Sequence, residues 1–301
     1  MIEQFQLALP HGVTLSCRAA GERGRPVLVF RHGFPEAAFV WDELLAHFAA
    51  RGYRCVAPNL RGFERSSAPA DPGAYRPKHL VQDIAALIAV ESPGAPLACL
   101  IAHDWGGAVA WNLANQRPEL IQRLAIINSP HPGTFLRELK SNPKQQAASA
   151  YMNFLIRPDA EALLSANNYA RMWPFFNRVT DGSDQPPAWL TDAVKDQYRA
   201  VWNMGMTGGC NYYRASPLRP PRPEDPAAAA VELPQSMLTV SVPTLVVWGM
   251  DDVALPPDLI EGLDTYIPRL TLHKVPGASH WIVHEQPQLV AAHLGAFLAA
   301  Q

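Results

Sequence analysis

Five short apolar runs constrain this chain more than any other feature, because each is long enough for one strand. Residues 26–30, 53–58, 97–102, 123–128 and 242–249 share this character, 270–275 adds one more strand that alternates apolar and polar residues, and Pro26-Val27-Leu28-Val29-Phe30 is apolar without interruption. A run that does not alternate with polar residues is what a strand covered on both faces shows. Helical stretches fall between them at 41–50, 80–90 and 107–116, the last stopped by Arg117-Pro118, and 286–300 forms a closing helix. Strands alternating with helices imply an α/β fold, a mostly parallel sheet with helices on both faces. A chain of 301 residues, 48% of them hydrophobic, can bury such a core and carry an insertion as well.

The alternation breaks after Pro130-His131-Pro132-Gly133. From Thr134 to about Val231 the segments are helical and aromatic, and Pro217 to Pro223 is too proline-rich for a helix or a central strand. The expected organisation is therefore a core in two parts, 1–133 and 237–301, with a helical cap over 134–236. No internal repeat interrupts it. The balance of 25 basic and 27 acidic residues gives a net charge of −2, which excludes a nucleic acid or an anionic membrane as an electrostatic partner. No apolar run reaches eighteen residues, and the N-terminus lacks the pattern of a signal peptide. Cys17, Cys55, Cys99 and Cys210 are scattered without metal-ligand spacing, as buried thiols of a cytoplasmic protein would be.

The chemistry is concentrated at Leu100-Ile101-Ala102-His103-Asp104-Trp105-Gly106-Gly107. An apolar strand runs into a tight turn tipped by Asp104, and a helix follows at once. This is the strand–turn–helix context of a nucleophile elbow, with aspartate where the G-x-S-x-G form has serine. A carboxylate is ionised at neutral pH, and on displacing a leaving group from saturated carbon it forms an alkyl ester. The elbow thus predicts covalent hydrolysis of an epoxide or a carbon–halogen bond. The Trp105 N–H, directly after the nucleophile, is one expected donor to the oxyanion. The chain order nucleophile, acid, histidine selects His280, in a Gly-x-x-His loop after a strand, as the base. Gly249-Met250-Asp251-Asp252, past the strand ending at Trp248, supplies two candidates for the acid, Asp251 and Asp252.

Together, the elbow, His32-Gly33-Phe34-Pro35-Glu36, Asn128-Ser129-Pro130-His131-Pro132 and Gly277-Ala278-Ser279-His280-Trp281 resemble the α/β-hydrolase-fold epoxide hydrolases, related to haloalkane and haloacetate dehalogenases. The resemblance covers nearly the whole chain and is densest at the ends of the core strands. It implies Phe34 as the second oxyanion donor and favours Asp252 as the acid. It also implies two cap tyrosines that hydrogen-bond the epoxide oxygen. Asn211-Tyr212-Tyr213-Arg214 matches the segment carrying one, Tyr213, and Tyr151 matches the other by its spacing to Pro158. Trp173, Phe176 and Trp202 are expected in the substrate pocket. The implied reaction needs no cofactor and no metal, and its partners are a small hydrophobic epoxide and water; the chain is expected as a monomer or homodimer. The alternatives are a dehalogenase with the same nucleophile and a non-catalytic ligand-binding protein. The dehalogenase reading is weakened by Phe34, where haloalkane dehalogenases place a halide-binding asparagine, and by the lack of arginines beside Asp104. One departure stands in Arg61-Gly62-Phe63-Glu64-Arg65-Ser66, where Glu64 replaces the family's small residue; a positive φ there is expected to alter the loop.

Overall fold

The computed structural model describes residues 1–176 and 186–300. The five apolar runs and the sixth segment form β3 (Val27–Arg31), β4 (Arg54–Pro58), β5 (Cys99–His103), β6 (Leu124–Ile127), β7 (Thr244–Gly249) and β8 (Leu270–Val275), all parallel. Two further strands, β1 (Glu3–Ala8) and β2 (Thr14–Ala20), pair antiparallel with each other, and β2 pairs antiparallel with β4. The sequence reading did not place this hairpin. Its outer strand β1 is half exposed, so it lacks the continuous apolar run that marks β3 to β7. The sheet order is β1-β2-β4-β3-β5-β6-β7-β8.

Burial of both sheet faces explains the runs of β3 to β7, while β8 lies at the sheet edge with only Val275 buried. Val27 and Val29 belong to one apolar cluster and Leu28 and Phe30 to the other; Leu100 and Ala102 alternate with Cys99 and Ile101 in the same way. Each strand residue therefore serves one of two layers. Helix α1 (Asp42–Ala49) lies on the Leu28 side, and α2 (Pro77–Glu91) and α3 (Asp104–Gln116) on the Val29 side. Helix α3 begins at Asp104, three residues before the predicted start at Gly107, because the elbow turn runs directly into the first helical turn.

Between β6 and β7 come α4 (Pro132–Ser141), α5 (Pro143–Ala148), α6 (Ala150–Leu155), α7 (Ala160–Tyr169), α8 (Trp173–Phe176), α9 (Asp192–Trp202), α10 (Thr207–Ala215) and α11 (Pro226–Ala229). The short α12 (Ile282–Glu285) and the closing α13 (Pro287–Ala299) follow β8, and α13 packs on the Leu28 side with α1. Strand β3 is flanked by β4 on one side and β5 on the other, so the connections from β3 and β4 run in opposite senses across the sheet. The carboxyl ends of strands at such a reversal leave a crevice for ligands. The His32–Glu36 loop and Asp104 sit there.

The loop at Glu64 keeps the positive φ: Glu64 adopts φ 50°. Its carboxylate folds back to accept hydrogen bonds from the Ser16 hydroxyl, from Asn59 Nδ2 at 3.0 Å and from the Arg65 N–H at 3.0 Å. These bonds offset the backbone cost that a glycine would avoid. The turn thus holds a strained residue at the position where the family has a small one.

Candidate active site

Asp104 takes a left-handed conformation, φ 48°, at the tip of the elbow, the strained placement that lifts a nucleophile clear of the sheet. Room for its carboxylate comes from missing side chains. A Cβ on Gly33 would lie 2.1 Å from Asp104 Oδ1, and one on Gly106 would lie 2.5 Å from the carbonyl oxygens of Arg31 and His32. Asp104 Oδ1 accepts the Phe34 N–H at 2.7 Å, and the Trp105 N–H also donates to this carboxylate. Ser129 Oγ donates to the Asp104 carbonyl at 2.7 Å, tying the elbow to the β6 loop. Burial holds the Asp104 carboxyl above its usual range, and His280, His103 and the two N–H donors offset only part of that.

His280 Nε2 lies 3.8 Å from Asp104 Oδ2, and its Nδ1 donates to Asp252 Oδ2 at 2.7 Å. Asp252, not Asp251, meets the histidine. Burial opposes charge on His280, but Asp252, and beyond it Asp104 and Glu36, outweigh burial and push the imidazole up to about 9.

Asp104, His280, Tyr151 and Tyr213 line one cavity. The rest of its wall is apolar: Phe34, Phe175, Trp281, Val253 and Ala254. Tyr213 hydrogen-bonds to the side chains of Tyr151 and Trp105, and its ring meets Trp105 edge-on at 5.0 Å. Burial, reinforced by Tyr151 and Asp104, holds the Tyr213 hydroxyl well above its usual range, so it keeps its proton. Trp173 and Phe176 do not line this cavity. They pack in an aromatic cluster, with Trp173 and Trp202 centroids 4.9 Å apart and Phe176 and Trp281 4.6 Å apart. Trp202 lines a neighbouring cavity with Phe34 and donates Nε1 to the Pro35 carbonyl at 2.8 Å. The reacting cavity takes Phe175 instead. Among the described residues, no group of three His, Cys, Asp or Glu side chains could hold a metal ion.

Residues 26–287 match the family model of the α/β hydrolase fold. The chain belongs to the α/β-hydrolase family. It is 34% identical to the AB hydrolase superfamily protein YfhM of Bacillus subtilis, over 95% of this chain and 94% of that one. It is 32% identical to epoxide hydrolase 4 of Mus musculus, over 93% of this chain and 75% of that one. A solved structure from work on novel epoxide hydrolases of this superfamily in hot-environment metagenomes superposes with a TM-score of 0.85 at 35% identity, covering 100% of both chains. The Bacillus megaterium epoxide hydrolase in complex with an inhibitor gives 0.86 at 28% identity, covering 98% of this chain and 100% of that one. This α/β hydrolase is therefore an epoxide-hydrolase-like enzyme.

Behind the site, the hydrolase carries a buried polar network to which no role was assigned from sequence. Glu36, 1% exposed, receives His103 Nδ1 at 3.0 Å, His284 Nε2 at 2.8 Å and the Tyr198 hydroxyl at 3.1 Å. His103 Nε2 reaches the His280 carbonyl at 2.9 Å, so the network supports the His280 loop. Asn128, directly after β6, bridges to Asp252. The only sequence signals were an acid inside His-Gly-Phe-Pro-Glu and a polar residue closing an apolar strand.

Proposed function

We propose that this chain is an epoxide hydrolase that works through a covalent aspartyl ester. The observation that carries the reading is one cavity in which an aspartate at the elbow faces a His–Asp pair and two tyrosines. Asp104 attacks a ring carbon and the C–O bond of the epoxide breaks. Tyr213 and Tyr151 hydrogen-bond the departing oxygen, which would otherwise leave as a strongly basic alkoxide. The ester carbonyl then sits against the Phe34 and Trp105 N–H groups, which stabilise the tetrahedral oxyanion when water attacks. His280 Nε2 takes a proton from that water, Asp252 stabilises the imidazolium, and the proton returns to the departing oxygen as the intermediate collapses to a vicinal diol. The proton left on Asp104 restores the tyrosine that protonated the ring oxygen.

Charge consumption at Asp104 times the two steps. In the resting enzyme, Asp104 and Asp252 both hold the proton on His280. Alkylation removes the Asp104 charge, so the imidazole falls toward neutrality when a base is required. Helices α4–α11 form the cap domain of this reading, over a core made of 1–133 and 237–301. The four cysteines are free and buried, which suits the reducing cytoplasm as its compartment. The apolar wall selects a hydrophobic epoxide.

His280→Gln soaked with a mixture of small epoxides and haloalkanes tests the reading by intact mass. A gain equal to a whole epoxide is the expected result. A gain of an alkyl group without its halogen would instead assign a dehalogenase, a reading made less favourable by the engagement of Trp105 with Tyr213. Absence of any adduct would overturn covalent catalysis.

A further inference from the structure

We infer that Asn128 is the positioning residue of the acid–base pair: it aims one oxygen of Asp252 at His280 and holds it there throughout turnover. The inference rests on the roles proposed above for His280 and Asp252.

Asn128 is fully buried and sits at φ 39°, a conformation that asparagine tolerates better than most residues. Its orientation is not free. Oδ1 accepts the Gly249 N–H at 2.9 Å, an interaction only an oxygen can make, so Nδ2 must point the other way. There it donates to Asp252 Oδ2 at 2.8 Å. That oxygen is the one that receives His280 Nδ1 at 2.7 Å. The other oxygen, Oδ1, accepts the N–H groups of Ala254 at 2.9 Å and Leu255 at 2.8 Å. Four donors thus surround a carboxylate whose side chain is fully buried.

Two consequences follow for the chemistry. A carboxylate whose acceptor sites are filled by N–H donors from four directions cannot turn, so Oδ2 stays aimed at His280 Nδ1 and in place to stabilise imidazolium. In addition, Oδ2 shares its electron density between His280 and the neutral amide. The amide therefore weakens the grip of Asp252 on the His280 proton and lets the imidazole act as a base nearer neutral pH. Without the amide, His280 would be the sole donor to Oδ2 and its proton would be held more tightly. The other groups facing His280 stay the same: Asp104 from the elbow, Glu36 from the loop after β3, and the ring of His103 at 4.6 Å from β5.

The test compares Asn128→Gly and Asn128→Ala with the parent enzyme in single turnovers of styrene oxide, following decay of the ester against pH. Both variants lose the amide; glycine suits the positive φ and alanine does not, so alanine should be the less stable of the two. The expected result is the same displacement of the ester-hydrolysis limb to higher pH in both, by roughly half to one pH unit, with a lower plateau. A purely structural role predicts instead that activity follows stability and that the limb stays put. An unmoved limb in folded Asn128→Gly would overturn the inference. His280→Gln in the same experiment separates the two failures. If it accumulates ester while the Asn128 variants keep the parental limb, only the Asn128 assignment falls. If it accumulates none, the His280 role falls with it.

Discussion

Tyr213 shows how much a single residue carries once its surroundings are fixed. Its ring is wedged edge-on between Phe34 at 5.4 Å and Trp105 at 5.0 Å, so it is held by the two residues whose N–H groups bind Asp104. A hydroxyl kept protonated by burial is a donor at every working pH, and in the proposed reaction the alkoxide formed beside it would be basic enough to take its proton. Tyr213→Phe should therefore slow ester formation by about 10²–10⁴-fold while leaving hydrolysis of preformed ester within a few-fold, since a positioned acid acts in one step. Stopped-flow fluorescence of the site tryptophans separates the steps, and equal slowing of both would remove the role. Glu64 offers a second residue-scale prediction. Glu64→Ala loses the three carboxylate bonds and still bears the left-handed backbone; Glu64→Gly loses only the bonds. Glycine should be the more stable variant by roughly 1–2 kcal/mol in denaturant titrations. Asp104, His280 and the pair Asp251/Asp252 were legible because strand ends and loop spacings mark them. The network behind them was not. Asn128 and Glu36 act through partners more than a hundred or more than sixty positions away in sequence, and only the folded sheet brings those partners to them.

At the scale of elements, the parallel strands β3 to β7 were legible because burial on both faces imposes a nearly unbroken apolar run, whereas β8, at the sheet edge, alternates apolar and polar residues. The hairpin β1–β2 escaped notice because its outer strand has only one covered face. Helices between β6 and β7 were foreseen as a group, yet not which side of each turns inward. Phe175 and Phe176 are neighbours on α8, about 100° apart around a helix, so one lines the reacting cavity and the other the aromatic cluster. Aromatic content alone does not distinguish those two positions. Beside its aromatic contacts, this helical region is fastened to the core by a polar one. The Tyr198 hydroxyl of α9 lies 3.1 Å from Glu36 Oε1 and 3.0 Å from His284 Nε2. Tyr198→Phe removes one of several partners of Glu36 and should cost about 1 kcal/mol of unfolding free energy. Glu36→Leu leaves His103, His284 and Tyr198 facing an apolar group and should cost about 3–5 kcal/mol. Equal losses from the two variants would mean that the carboxylate is not the hub.

For the whole molecule, the buried histidines set opposite limits on stability against pH. His32 accepts the Leu60 N–H at Nε2 and faces the Gly33 carbonyl through Nδ1, while His131 accepts the Gly133 N–H at Nδ1 and faces the Leu238 carbonyl through Nε2. Each is neutral with one nitrogen committed as an acceptor, and burial lowers each from 6.5 to about 4. A group lowered in the folded state contributes stability above its unfolded value, and that contribution is lost as pH falls from 6.5 through about 4. His280 behaves the other way. It is raised from 6.5 to about 9, so its contribution is complete below 6.5 and disappears as pH rises through about 9. The stability curve should accordingly peak near neutrality and fall on both sides. The two limbs belong to different residues. His280→Gln should flatten the alkaline limb between pH 6.5 and 8.5, a loss of roughly 2 kcal/mol in the parent. It should leave in place both the acid limb and the further loss above pH 9 from the buried cysteine thiols, which burial raises from 9.0 to about 12 at Cys17, Cys55 and Cys210. Denaturant midpoints measured at half-unit pH intervals decide the matter. A loss between pH 6.5 and 8.5 that survives in His280→Gln would mean that Asp252 and Asp104 do not hold the charge on that histidine, and the proposed timing of base activation by ester formation would fail with it.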